Sequence, residues 1–284
     1  MSQVVEEVRL SLPHIELAAH LFGPEDGLPV IALHGWLDNA NSFARLAPKL
    51  KGLRVIALDM AGHGHSGHRP PGAGYAMWDY AHDVLQVAEQ LGLKRFALLG
   101  HSMGAIASLI IAGSFPQRVT HLALIDGVIP PTDKGENAAE RMGMALQAQL
   151  DLREKRKPVY STQDRAIEAR MKGLVAVSRE APELLAQRGL MPVPGGYTWR
   201  TDNRLTLPSP LRLTTEQAMA FVQRVACPAK LVVAADGMLA KHPELLERLP
   251  FSLEQLPGGH HLHLNDEPGA DLVADCFNRF FAIP

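Results

Sequence analysis

The chain has 284 residues, 28 Lys and Arg against 30 Asp and Glu, and 46% apolar residues, a composition that excludes disorder, collagen-like repeats and disulfide scaffolds. At this length roughly three quarters of the unfolded chain's surface is buried on folding, so a large core needs neither staples nor metals. A formal net charge of −2 gives no general attraction to nucleic acid or anionic lipid. Cys227 and Cys276 are read as buried free thiols, which fits a reducing compartment. The start, MSQVVEEVRL, carries acids where a secretory leader needs positive charge, and no apolar run reaches spanning length. The expected location is the cytoplasm, with no membrane and no nucleic-acid partner.

From Glu7 to Phe22 the chain reads as two short strands joined at Pro13-His14. Five almost continuously apolar runs follow: Pro29 to Leu33, Arg54 to Leu58, Arg95 to Leu99, His121 to Ile125 and Lys230 to Ala234. Strands apolar on both faces are covered on both faces, as in a parallel sheet. Helical patterns lie between or after them, at Tyr75 to Leu91, Met103 to Phe115, His242 to Leu249 and Pro268 to Phe281. Such alternation is the signature of an open α/β sheet.

One segment breaks the rhythm. About a hundred residues separate Ile125 from Lys230, far more than a crossover helix needs. The reading is a core domain of residues 1–129 and 216–284 with a helical cap at 130–215. Helical patterns run from Asn137 to Arg156, Thr162 to Val177 and Ala181 to Arg188; then comes a loop-like stretch, MPVPGGYTWR, and another helix from Thr214. Residues 131–215 carry 14 basic and 10 acidic residues. That excess reads as a solvated helical surface, or as a cap that favours anionic substrates.

The chemistry concentrates in a few places. Gly100-His101-Ser102-Met103-Gly104 follows an apolar run and opens a helical pattern, the context a G-x-S-x-G nucleophile turn requires. Serine there stands strained and exposed at the sheet edge, and the Met103 N–H lies at a helix N-terminus, where it favours a developing oxyanion. His34-Gly35-Trp36 ends the first buried strand, and the Trp36 N–H is the simplest second donor. His34, Gly35 and His101 also stand as substrate contacts on this edge. The base should be a histidine after the last strand, and LPGGHHLHL offers His260, His261 and His263; His260 is preferred because it follows the glycine pair. Asp126 lies 24 positions after Ser102: a helix of about 13 residues runs back roughly 20 Å and a strand of about six returns it. Asp236 ends the next strand and is the alternative acid. Asp59 reads as structural, in a glycine-rich turn. A metal site from His63, His65 and His68 lacks carboxylate or thiolate partners, so no metal is expected.

Taken together, HGW at 34–36, DMAGHGHS at 59–66, GHSMG at 100–104, LIDG at 124–127 and PGGHHLHL at 257–264 resemble the successive motifs of the α/β-hydrolase superfamily. LLAQRGL followed by YTWRTDNRL resembles the corresponding part of its serine hydrolase-like subgroup. The resemblance implies a mostly parallel eight-stranded sheet flanked by helices, a helical cap after the sixth strand, and a Ser-His-acid triad. The usual superfamily acid follows the seventh strand after a glycine; Ala234-Ala235-Asp236-Gly237 departs from that, and members with the acid after the sixth strand match Asp126.

The expected activity is hydrolysis of a carboxylic ester or related acyl bond of a small molecule through an acyl-enzyme, with no cofactor. Rivals are carbon-carbon bond hydrolysis or acyl transfer on the same triad, and a ligand receptor with little turnover. The cap should shape the pocket with Met142, Met144 and Trp199, the alternative being that these side chains are core packing, and Arg200 and Arg204 could meet an anionic group. A monomer or homodimer is expected.

Overall fold

In Val30-Ile31-Ala32-Leu33 every residue is completely buried, because helices cover both faces of the strand that carries them. The computed structural model describes residues 6–152, 156–173 and 177–282. In chain order the elements are β1 (Glu6–Ser11), β2 (Glu16–Phe22), β3 (Leu28–Leu33), β4 (Leu53–Leu58), α1 (Met77–Gln90), β5 (Phe96–His101), α2 (Met103–Ser114) and β6 (Val119–Ile125). The inserted segment contributes α3 (Ala138–Leu152), α4 (Gln163–Met171), α5 (Glu180–Gly189), β7 (Leu190–Val193) and β8 (Gly196–Trp199). The chain then returns through α6 (Thr215–Arg224), β9 (Ala229–Asp236), α7 (Pro243–Leu246), β10 (Ser252–Gly259), α8 (Leu262–Asn265) and α9 (Glu267–Phe281).

The sheet has eight strands in the order β1-β2-β4-β3-β5-β6-β9-β10. β1 and β2 pair antiparallel, β2 joins β4 antiparallel, and every later pairing is parallel. Alternate residues divide between two cores. Ile31, Leu33, Ile56, Leu58, Leu98 and Leu231 pack with Val84, Val87, Leu109 and Ile111 of α1 and α2. Val30, Ala32, Ala57, Ala97, Leu99 and Ala234 face Phe277 and Phe280 of α9. Small residues on that second face leave room for the large aromatic rings, which is how packing density is kept.

Helix ends follow local chemistry. The Thr214 hydroxyl accepts from Gln217 N while the Gln217 side chain accepts from Thr214 N, a capping box that opens α6. Asp266 caps α9 through Gly269 N, with Pro268 in its first turn. Among the described residues no helix is long and apolar enough to cross a membrane.

The inserted segment differs from its sequence reading in one element. MPVPGGYTWR forms an antiparallel hairpin, β7 with β8, rather than a loop. The physical reason is the turn: Gly195 and Gly196 have φ of 91° and 145°, which only glycine adopts readily, and they fold two β-prone flanks together. The helix read at His242 to Leu249 reduces to the single turn of α7. The C-terminal parts of the patterns at Asn137 to Arg156 and Thr162 to Val177 run into 153–155 and 174–176, outside the described residues. Cys276 is buried but Cys227 is only half-buried; both are free, and burial pushes their thiols up to about 12 and about 11.

The insertion is bound to the sheet edge by buried polar contacts. Arg188 of α5 donates to the Asp59 carboxylate at 2.7 Å and also meets Glu7. Asp59, completely buried, accepts in addition from Ala40 N and His65 N, each at 2.7 Å. It is the structural anchor the sequence suggested. Asn39 and Asn41 donate to the Leu185 and Leu184 carbonyls at 2.9 and 2.8 Å.

Candidate active site

Between the last residue of β5 and the first of α2 there is one residue, Ser102, at φ 51° and ψ −114°. A side-chain-bearing residue held there costs about 1–3 kcal/mol and persists only where its surroundings over-determine it. They do: Ser102 N donates to the Ile125 carbonyl at 3.0 Å, and the Ser102 carbonyl accepts from Ala105 N and Ile106 N at 3.0 and 3.1 Å. The two flanking glycines have no room for a side chain. A Cβ on Gly104 would lie 2.0 Å from the Leu33 carbonyl oxygen, and one on Gly100 would lie 2.5 Å from that of Gly104.

β10 ends at Gly259, and the next residue brings its imidazole over the sheet edge. His260 Nε2 lies 2.9 Å from Ser102 Oγ. His260 Nδ1 donates to Asp126 Oδ2 at 2.6 Å. Since a carboxylate only accepts, neutral His260 carries its proton on Nδ1 and turns the Nε2 lone pair towards the serine. Asp126, at φ 42° and 1% exposed, is held in turn by Met238 N at 2.8 Å and by Ala234 N and Leu239 N at 3.3 and 3.4 Å.

Asp236 takes no part in this chain of bonds. It ends β9 exposed to solvent, as does Ala235, because both lie beyond the buried run Leu231–Ala234. Among the described residues Asp126 is the carboxylate bonded to His260. His261 and His263 are 4% and 0% exposed, and neither meets Ser102.

The N–H groups of Met103 and Trp36 donate to no acceptor among the described residues. The Trp36 side chain serves a separate purpose, since its indole N–H donates to the Leu205 carbonyl at 2.8 Å and ties this loop to the inserted segment. The expectation that His34 and His101 touch substrate is corrected here, since both side chains are completely buried. His34 Nδ1 donates to the Gly35 carbonyl at 2.8 Å and its Nε2 accepts from Met60 N at 3.0 Å. Gly35 further accepts from Asp38 N at 3.2 Å, so this stretch shapes the turn. His101 Nε2 donates to the His260 carbonyl at 2.8 Å.

Trp199 is half-buried and packs against Ala181, Leu185 and Leu264, so it joins the inserted segment to α8. Arg204 is corrected as an anion receptor: its guanidinium is already engaged by Asp202 at 2.7 Å and by the Arg69, Pro70 and Ala73 carbonyls. The Arg200 carbonyl accepts from His68 Nε2 at 2.9 Å, and its backbone N–H donates to the Gly189 carbonyl at 2.7 Å. Met142 and Met144 are exposed on α3. His63, His65 and His68 do not converge: His63 bonds the Ala61 carbonyl, His65 pairs with Glu7, and His68 meets Arg200.

Two features escaped sequence reading. Gly237 has no room for a Cβ, which would lie 2.4 Å from Asp126 Oδ2. Its neighbour Asp236 drew attention instead, and only the fold reveals the close approach. The second is Asp38, 1% exposed, which accepts from His261 Nε2 at 3.0 Å and from Arg170 of α4 at 2.7 Å. Burial alone would raise its pKa, but His261, Arg170 and His101 more than offset that and hold it well below the usual carboxylate range.

Residues 29–153 match the family described as the alpha/beta hydrolase fold. A serine hydrolase-like protein of Danio rerio is 31% identical, over 98% of this chain and 89% of its own length. A probable serine hydrolase of Drosophila melanogaster is 32% identical, over 91% of this chain and 83% of its own. The crystal structure of a hypothetical protein from Pseudomonas aeruginosa superposes with a TM-score of 0.96 at 68% identity, covering 98% of this chain and 99% of that one.

Proposed function

The chain belongs to the serine hydrolase-like family of the α/β-hydrolase fold, and from that premise we propose that it cleaves a carboxylic ester, or a related acyl bond of a small molecule, through an acyl-enzyme. The observation that carries the reading is the unbroken relay of Ser102 Oγ, His260 and Asp126, with contacts of 2.9 and 2.6 Å.

As Ser102 Oγ bonds to the acyl carbon, its proton passes to His260 Nε2, and Asp126 stabilises the resulting imidazolium. The carbonyl oxygen, now anionic, takes hydrogen bonds from Met103 N–H and Trp36 N–H; one such donor contributes about 10²–10³ in kcat. Collapse breaks the bond to the leaving alcohol, which takes the proton from His260. Water then attacks the acyl-serine with His260 again as base, releasing the carboxylic acid and restoring Ser102.

Incubation with a fluorophosphonate probe and a panel of p-nitrophenyl esters tests this. The expected result is labelling at Ser102 together with ester turnover, both lost in Ser102→Ala. Binding of ligands without labelling or turnover would refute it in favour of a receptor.

A further inference from the structure

Asp38 stands in a turn that follows β3. Leu37, just before it, has φ 63°, a strained value for a branched side chain. The turn is steadied by Leu37 N donating to His63 Nε2 at 3.3 Å and by Asp38 N donating to Gly35. The result is a carboxylate directed inward, where few acids are tolerated. Replacing a buried ion pair as a whole with apolar residues is often neutral or stabilising, so stability alone gives little reason for the Asp38–Arg170 pair.

What the carboxylate touches is informative. One oxygen takes Arg170 from α4 of the inserted segment. The other takes His261, the residue after His260, and lies 3.9 Å from Nδ1 of His101, the residue before Ser102. His101 in turn donates to the His260 carbonyl, and its ring centroid lies 4.7 Å from that of His260. The residues adjoining both reacting side chains, and the cap helix above them, therefore converge on one group. The three ligand-type atoms of Asp38, His101 and His261 lie within 4.8 Å of one another. A divalent cation there would have to share Asp38 with the Arg170 guanidinium, so the ion pair disfavours it.

We propose that Asp38 is a positioning residue that locks the backbone carrying His260 to the seated cap, through His261 on one side and Arg170 on the other. This rests on the hydrolase reading above. It makes the base productive only when α4 is in place: withdrawal of Arg170 leaves a buried carboxylate beside His261 without its compensating cation.

The groups facing Asp38 are Arg170, His261 and His101, with His263 and His260 next beyond them, and the buried His34 and His63 also feel its charge. The test uses the full chain, p-nitrophenyl acetate, and fluorophosphonate titration so that kcat is expressed per reactive serine. Asp38→Asn and Arg170→Met are expected to lower that kcat about tenfold to a hundredfold, with KM changing less than about threefold, as outer-shell partners commonly do. Arg170→Lys should recover most of the loss. The acid limb of kcat/KM should move by about half a pH unit in opposite directions. It moves down when Asp38 loses its negative charge behind His261 and His101, and up when Arg170 loses its positive one. A merely structural role would lower Tm and the count of reactive serines without moving that limb. If Asp38→Asn does not fold, the Arg170 pair of variants decides the matter. Unchanged kcat per serine with an unmoved limb would overturn the proposal alone. Failure of the unmutated protein to label or turn over would overturn the functional reading and the proposal with it.

Discussion

Asp126→Asn tests the relay most directly. All four groups around the carboxylate are donors: His260 Nδ1 and Met238 N on Oδ2, Ala234 N and Leu239 N on Oδ1. An amide supplies one acceptor and one donor. If its oxygen takes the Oδ2 position, His260 keeps its orientation but loses the opposing charge. At a charge separation of about 4 Å and an effective dielectric of 20 that charge contributes about 4 kcal/mol to the imidazolium, or about 10³ in kcat. If the amide nitrogen takes that position instead, it opposes the Met238 N–H and forces the His260 proton onto Nε2, so the base is lost and the deficit grows to about 10⁴. The expected loss is thus about 10³ to 10⁴, measured as kcat for a p-nitrophenyl ester. Asp236→Asn, at an exposed position, should stay within about twofold. Retention of more than a tenth of kcat by Asp126→Asn, or an equal loss in Asp236→Asn, would refute the assignment.

Two further outcomes are expected. Gly237→Ala should reduce kcat about a hundredfold, since its Cβ would stand 2.4 Å from Asp126 Oδ2 and 2.7 Å from the Ala234 Cβ, and a shift of about 1 Å in a positioned group costs that much; an unchanged kcat would show that Asp126 can yield. Stability should also fall as pH drops from 6 to 5. His63 and His263 are completely buried, and burial lowers each to about 3. The unfolded chain therefore takes up protons below about pH 6.5 that the native state refuses. Stability is full above that value and declines towards pH 3, by about 1 kcal/mol per histidine between pH 6 and 5. Carboxylates held low, such as Asp38, titrate below this window. Urea unfolding at the two pH values measures the difference, and a constant midpoint would contradict it.

Much of the candidate site was legible because it is local. A buried strand, a glycine-flanked serine and a helix are adjacent in the chain, and sterics at Gly100 and Gly104 leave one way to connect them. The alternation of apolar runs and helices likewise fixed the sheet, since strands buried on both faces need cover on both. His260 was legible from its place after the glycine pair that closes β10.

What the sequence left open depended on groups distant along the chain. Spacing favoured Asp126 over Asp236 without deciding between them; just past β6, at φ 42°, Asp126 meets three backbone donors, whereas Asp236 ends β9 exposed to water. His34 and His101 carry the same chemistry as a substrate-contacting histidine, yet neighbours more than twenty residues away enclose them. Periodicity records which face of an element is apolar, but not which remote polar group will fill the space above it. For that reason composition and spacing determined the scaffold and the glycine-flanked serine, whereas the tertiary structure brought Asp126 rather than Asp236 to His260 and gathered Asp38, His261 and Arg170 at one point.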